Sequence, residues 1–135
     1  NEETKAKYPF EFILKVGYEL EGKDLKVIWQ VENPDTKTLY FSIGGHPAFM
    51  CPVDGKGKQS EYYFKFDTDK DLTYGLVADD GQGLMAGKGA PFICIEPWYG
   101  RCDRTTFDGS LEQREYGNTL QAGGVFRREY TITVE

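Results

Sequence analysis

Strict alternation of apolar and polar residues near the start of the chain constrains the fold more than any other feature. Apolar side chains occupy every even position from Phe10 to Leu20, and the odd positions are polar or small except at Ile13. After a turn at residues 21–24, the alternation resumes over residues 25–31. A repeat of two is that of a β-strand with one face in the core. Two such runs joined by a short glycine-containing turn predict an antiparallel hairpin.

Further strand-like runs follow, and no long amphipathic pattern interrupts them. The sequence predicts a third strand over 39–43, a fourth over 61–66, an apolar central strand over 92–96 and a half-exposed closing strand over 126–134. One helical turn is predicted at 110–113, where Ser and Gln have the spacing of a capping box. These elements predict an all-β fold, an antiparallel β-sandwich or part of one.

Length and loops shape the predicted domain. The 135 residues fit one domain, and we predict a single domain over residues 1–135. The connection over residues 67–91 contains five glycines and few apolar residues. Such a long connection is unusual in a compact domain. It indicates either a binding loop or a place where sequence is missing.

Composition excludes several classes of protein. The net charge is -6 and the basic residues are dispersed, so no nucleic-acid partner is expected. No segment approaches the roughly 20 apolar residues of a membrane span, so no membrane partner is expected either. Three irregularly spaced cysteines argue against a disulfide scaffold and favour a reducing, cytoplasmic setting. With one histidine in the chain, we expect no metal site.

His46 is the first candidate for chemistry. It follows the third predicted strand on a Gly-Gly turn and precedes Pro47. Glycines let the backbone bend sharply and let a ligand come close. Imidazole titrates nearest to neutral pH, so it is the natural general acid or base. The alternative is a histidine that only hydrogen-bonds a loop carbonyl.

Glu96 is the second candidate. It ends the apolar run 92–95 and is followed by Pro97. A carboxylate at the end of a buried strand is unfavourable unless it is paired or has a use. The functional interpretation makes it a general base. The alternative is a salt bridge to Arg101 or Arg104.

Aromatic and basic residues near these two positions are candidates for substrate binding. Aromatic faces stack on the apolar face of a sugar ring, and Trp98 and Phe49 could act in this way. Each is also an ordinary core residue by type. Arg101 could hold hydroxyls or a phosphate. Its alternative is a solvated loop with local ion pairs.

Four motifs together resemble the aldose 1-epimerase (galactose mutarotase-like) family, in its LacX-like branch. They occur in the expected order and span most of the chain. They are Tyr8-Pro9-Phe10-Glu11-Phe12, the run from Tyr40 to Phe49 with Gly44-Gly45-His46-Pro47, the run from Ala90 to Gly100 with Ile95-Glu96-Pro97-Trp98, and Leu120-Gln121-Ala122-Gly123-Gly124. The resemblance implies a β-sandwich of the galactose-mutarotase type (a supersandwich). It also implies that the strand set is incomplete and that the family's N-terminal portion is lacking.

The resemblance implies interconversion of the α and β anomers of an aldose, either a hexose or a hexose phosphate. His46 matches the family's acid, which protonates the ring oxygen. Glu96 matches its base, which takes the proton of the anomeric hydroxyl. The implied partner is a small-molecule sugar, and neither a metal nor an organic cofactor is implied.

Two departures from the family pattern keep other functions open. The family's further sugar-binding histidine and arginine have no counterpart here, and its sugar-binding aspartate has no assigned match. One alternative is therefore a sugar-binding β-sandwich protein without catalytic turnover. Another is a structural or interaction domain, whose open sheet edges would favour self-association.

Overall fold

The computed structural model describes residues 2–71 and 90–135. Within these ranges the chain consists mainly of antiparallel strands with little helix. Its contacts divide it into two compact units. Unit 1 comprises Asn1–Gly44 and Trp98–Glu135, and unit 2 comprises Gly45–Pro97. No helix in the described ranges is both long and apolar enough to span a membrane.

The described elements are short except for three nine-residue strands. In chain order they are α1 Glu2–Lys7, β1 Ile13–Glu21, β2 Asp24–Glu32, β3 Leu39–Phe41, β4 Ile43–Gly44, β5 Ala48–Met50, 3₁₀ segments at Val53–Gly55 and Gln59–Glu61, β6 Phe92–Cys94, β7 Trp98–Tyr99, a 3₁₀ segment at Leu111–Gln113, β8 Asn118–Leu120 and β9 Val125–Thr133. The strands form one three-stranded sheet, β1-β2-β9, and three two-stranded ladders, β3-β8, β4-β7 and β5-β6.

The predicted hairpin is confirmed in unit 1. β1 and β2 pair over their whole length, and the last pair is Glu21 with Asp24. Gly22 takes φ 59°, which favours glycine at the first position of a two-residue hairpin turn. The predicted closing strand is confirmed as β9, which pairs antiparallel with the other edge of β2.

The core of unit 1 lies on β2. Val27, Trp29 and Val31 are buried because β2 is the central strand of its sheet. The Trp29 ring packs against Tyr130 of β9, with 5.4 Å between ring centroids. The expectation that the even face of β1 lies in the core is wrong for the described chain, where exposure rises along the strand to 78% at Leu20. β1 is an edge strand, and the described residues leave most of this face uncovered.

Three other strand predictions change in the structure. The strand predicted as central over 92–96 is shorter, β6 Phe92–Cys94, and its only described partner is β5, so it is not central. The predicted third strand is divided at Ser42 into β3 and β4, which pair with different partners, β8 and β7. The predicted strand over 61–66 is wrong: a 3₁₀ segment ends at Glu61, and the residues that follow are exposed and irregular. A strand needs a neighbour to bond its backbone groups. None of the described strands pairs with these residues.

Asn33 connects three parts of unit 1 from a buried position. Its side-chain Nδ2 donates to the carbonyls of Lys37, at 2.8 Å, and Leu120, at 2.9 Å. Its Oδ1 accepts from the backbone N–H of Asp35. Its own backbone exchanges bonds with residues 123–124. The end of β2 is thereby joined to the turns before β3 and β9.

Two further sequence predictions concern loops and turns. The capping box at Ser110 is present, and Gln113 Oε1 accepts from the Ser110 N–H at 2.9 Å. The long connection over 67–91 lies mostly outside the described residues, which omit 72–89.

All three cysteines are free thiols.

Candidate active site

The β5-β6 ladder of unit 2 determines where His46 and Glu96 lie. The two strands pair antiparallel, with Ala48 opposite Cys94. His46 precedes Ala48 by two residues, and Glu96 follows Cys94 by two. Since antiparallel pairing advances one residue on each strand in opposite directions, His46 stands opposite Glu96. We call these two residues the facing pair.

Backbone hydrogen bonds on both sides hold the facing pair in this register. The Gly45 N–H donates to the Pro97 carbonyl, and the Ile95 N–H donates to the Pro47 carbonyl, each at 3.2 Å. Proline has no N–H, so each of these positions keeps one bond. Because bonded and non-bonded pairs alternate in an antiparallel ladder, the facing pair between them is non-bonded, the type whose side chains lie closest together.

The side chains of the facing pair meet at hydrogen-bond distance. His46 Nε2 lies 3.1 Å from Glu96 Oε1. The His46 side chain is 66% exposed and the Glu96 side chain 32% exposed. A group that can donate a proton therefore stands beside one that can accept a proton, on a surface that solvent reaches. A general acid and a general base must lie within hydrogen-bond distance of the substrate atoms to which and from which they transfer protons.

Cys94 is a third member of this site, and the sequence interpretation missed it. It lies two residues before Glu96, so the strand period places both on one face. The potential ligand atoms of His46, Cys94 and Glu96 all lie within 4.8 Å of one another. Burial raises the pKa of the Cys94 thiol, and the charge and hydrogen bond of the Glu96 carboxylate raise it further. The period-two spacing of Cys94 and Glu96 was the available signal.

The ladder places Phe49 away from the facing pair. Phe49 is opposite Ile93 and is half-buried. Side chains alternate between the two faces of a strand, so Phe49 lies on the face opposite to that of His46. Its role in binding substrate stays a prediction.

Trp98 belongs to unit 1, where its indole lies directly on Gly44. The two residues are partners in the β4-β7 ladder. A Cβ on Gly44 would come within 2.3 Å of Trp98 Cδ2. The residue is nevertheless 55% exposed, which leaves surface for stacking. Only glycine at position 44 permits this placement of the ring.

Replacing Gly44 by Ala is therefore expected to displace the Trp98 indole. Acrylamide quenching of tryptophan fluorescence measures the change, and a Trp98→Phe variant isolates the contribution of buried Trp29. The matched control is Gly17→Ala, since a Cβ there would meet only Ile28 Cβ at an ordinary 3.8 Å. Identical quenching in the two alanine variants would show that Gly44 does not position the indole.

The basic residues that follow Trp98 are held by Glu115. Arg101 forms an ion pair with Glu115, and its guanidinium lies 4.7 Å from the ring centroid of Tyr116. Arg104 Nε lies 3.3 Å from the same carboxylate. The ion pairs that were the alternative for Glu96 thus go to Glu115, while Glu96 pairs with His46. Arg101 also lines a cavity of about 220 Å³ in unit 1.

Comparisons with known proteins show the family to which this chain belongs. The sequence profile described as aldose 1-epimerase matches residues 1–83, so the chain belongs to that family. The family resemblance predicted from the sequence is confirmed.

Individual relatives support the same family. The plasmid and chromosomal forms of protein LacX from Lactococcus lactis subsp. lactis are each 40% identical over 196 residues, covering 99% of this chain and 66% of theirs. The crystal structure of a galactose mutarotase-related enzyme from Lactobacillus acidophilus is 25% identical with a TM-score of 0.77, covering 98% of this chain and 64% of that one. This likeness confirms the predicted fold class.

The chain is shorter than these relatives. It spans just under two thirds of their length, 66% of the LacX proteins and 64% of the solved enzyme. The LacX alignment extends over 196 positions whereas this chain has 135 residues. Part of the aligned region of the relatives therefore has no counterpart here.

Proposed function

We propose that this chain carries the acid–base pair of an aldose 1-epimerase that interconverts the α and β anomers of a hexose or hexose phosphate. The observation that carries the proposal is the 3.1 Å distance between His46 Nε2 and Glu96 Oε1 on an accessible face. Membership of the aldose 1-epimerase family supports it. The likeness to a galactose mutarotase-related enzyme adds to that support.

The proposed reaction opens and recloses the sugar ring. Protonated His46 gives its proton to the ring oxygen as the bond from that oxygen to C1 breaks. The Glu96 carboxylate takes the proton of the anomeric hydroxyl, and the freed electron pair forms the carbonyl at C1. Rotation about the C1–C2 bond presents the other face of the aldehyde. Reclosure returns the first proton to His46 and the second to the sugar, so neither residue is changed.

The spacing of the facing pair suits this substrate. The ring oxygen and the anomeric hydroxyl are both bonded to C1, so the sites of protonation and deprotonation are adjacent. Without sugar, His46 and Glu96 satisfy each other at 3.1 Å. When sugar is bound, each residue replaces this contact by a hydrogen bond to the substrate, at the distance that general acid–base catalysis requires.

The remaining features of the proposal concern binding and location. The exposed Trp98 indole is proposed to stack on the sugar and Arg101 to hold its hydroxyls or a phosphate, with Phe49 as a further contact. The proposed partner is a small-molecule sugar, and self-association through open sheet edges is a second proposal. Three free thiols support a cytoplasmic, reducing setting.

Replacing His46 by Ala tests the proposed acid. NMR exchange spectroscopy measures interconversion of the anomers of glucose, galactose and their 6-phosphates. The wild-type protein is expected to accelerate exchange of at least one sugar, and the variant to lose a factor of about 10²–10⁴ in kcat/KM. The exposed position of His46 predicts an unchanged fold, which circular dichroism checks.

Two other results would contradict this proposal in different ways. If the wild-type protein left anomer exchange at its uncatalysed rate in water, while isothermal titration showed heat of sugar binding, the chain would be a sugar-binding protein without turnover. Full activity in His46→Ala would show that another group supplies the proton to the ring oxygen.

A further inference from the structure

The face that carries the facing pair also brings together three kinds of metal-binding side chain. An imidazole, a thiol and a carboxylate meet where the ladder places His46, Cys94 and Glu96. They come from the adjoining ends of β5 and β6, which are distant in the sequence. All three belong to unit 2, so one backbone ladder fixes their mutual positions.

The spacing of the three ligand atoms is close to what one zinc-type ion needs. Bond lengths of about 2.0–2.3 Å and tetrahedral angles put ligand atoms about 3.3–3.6 Å apart. The nitrogen and oxygen of the facing pair are 3.1 Å apart, and all three atoms lie within 4.8 Å of one another. Cys94 Sγ and the Glu96 carboxylate stand on rotatable side-chain bonds, and the proposal requires these bonds to close the remaining gap.

The combination of ligands selects the class of ion. Thiolate and imidazole together favour a borderline-soft divalent cation such as Zn²⁺ over Mg²⁺ or Ca²⁺, which prefer oxygen ligands. Three protein ligands leave a fourth tetrahedral position for water or another small ligand. The 66% exposure of the His46 side chain leaves room for that fourth ligand and for entry of the ion.

The geometry points to a regulatory Zn²⁺ site formed by His46 Nε2, Cys94 Sγ and a Glu96 carboxylate oxygen, whose occupation blocks the acid–base pair. This departs from the expectation of no metal site, which rested on the single histidine of the sequence. Cys94 binds as the thiolate, and its proton passes to solvent. A coordinated His46 has no proton on Nε2 to give to a sugar. A coordinated Glu96 oxygen is no longer free to accept one. The blocking effect rests on the proposed epimerase function, whereas binding of the ion does not.

Binding is tested first, without any sugar. Cd²⁺ is the probe, because its bond to a thiolate gives an ultraviolet charge-transfer band, and Zn²⁺ is then used to displace it. One equivalent of Cd²⁺ is expected to produce the band and to raise Tm. The Cys94→Ser variant is expected to lose the band. His46→Ala and Glu96→Gln are expected to bind at least about tenfold more weakly.

Cys102→Ser is the matched control, since Cys102 is an exposed free thiol in unit 1. It is expected to bind Cd²⁺ as the wild-type protein does. A band that survives in Cys94→Ser, or one that disappears in Cys102→Ser, overturns the site. So does the absence of a band in the wild-type protein. Should Cys94→Ser fail to fold, the losses in His46→Ala and Glu96→Gln decide.

Inhibition is tested second. Zn²⁺ is expected to slow anomer exchange by the wild-type protein. In Cys94→Ser, the Zn²⁺ concentration that halves the variant's own zinc-free rate is expected to be at least about tenfold higher than in the wild-type protein. Exchange that continues unchanged while the band shows a bound ion overturns the regulatory part. A protein that binds Cd²⁺ but never accelerates exchange refutes the epimerase proposal and leaves the metal site standing.

Discussion

Replacing Glu96 by Gln is expected to lower kcat/KM for anomer exchange by a factor of about 10²–10⁴ while the protein stays folded. The amide keeps the shape of the side chain and still accepts a hydrogen bond at Oε1. A hydrogen bond between uncharged groups can therefore replace the 3.1 Å contact with His46. It has no basicity with which to take the proton of an anomeric hydroxyl. NMR exchange spectroscopy gives the rate, and circular dichroism checks the fold.

The control for this variant is Glu129→Gln. Glu129 lies on β9 in unit 1, where its carboxylate is 3.3 Å from Arg127 Nη2, and the change removes the same charge from the protein. Its rate is expected to equal that of the wild-type protein. If Glu96→Gln also kept the wild-type rate, another group would be the base, and the role of Glu96 would be structural.

Replacing Asn33 by Ala is expected to lower the free energy of unfolding by about 3 kcal/mol or more. Asn33 is only 1% exposed, so water does not take the place of its amide. The carbonyls of Lys37 and Leu120 lose their donor, and the Asp35 N–H loses its acceptor. An unsatisfied buried polar group costs about 1–3 kcal/mol. Urea denaturation measures the change.

Asn118→Ala provides the comparison. The Asn118 amide also donates to two carbonyls, those of Phe41 at 3.1 Å and Tyr99 at 2.8 Å, but the residue is only half-buried. Water reaches such groups more readily, so a smaller loss of stability is expected. Equal losses in the two variants would mean that the burial of Asn33 adds nothing to its hydrogen bonds.

Local patterns were sufficient for the long strands of this protein. The hairpin follows from alternation and a glycine turn, both of which are short-range, and β9 follows from alternation alone. Alternation does not state whether a face will be covered. The even residues of β1 alternate in the same way as the odd residues of β2, yet β2 is the central strand with a buried face, while β1 is at an edge. Burial depends on neighbours that are remote in the sequence.

The candidate site shows the same difference between what local sequence determines and what depends on distant segments. His46 and Glu96 were each found from their own surroundings, a predicted Gly-Gly turn and an apolar run. The structure has no turn at these glycines, since Gly44 lies in β4 and Gly45 bonds to Pro97 across the ladder. Their 3.1 Å contact depends on pairing between two segments that are 50 residues apart in the sequence (positions 46 and 96). Neither segment alone determines this pairing. Cys94 was missed because its neighbours are apolar. The alternation of residues 61–66 misled because no described strand pairs with them.

The register of the β5-β6 ladder has a consequence for how this site can change during evolution. Substitutions at neighbouring positions leave the partners of each residue as they are. Insertion or deletion of one residue between positions 46 and 48, or between 94 and 96, moves one member of the facing pair to the opposite face of the ladder. Divergent relatives can therefore vary widely in composition around this site, while the number of residues separating each reactive side chain from its paired strand must stay constant.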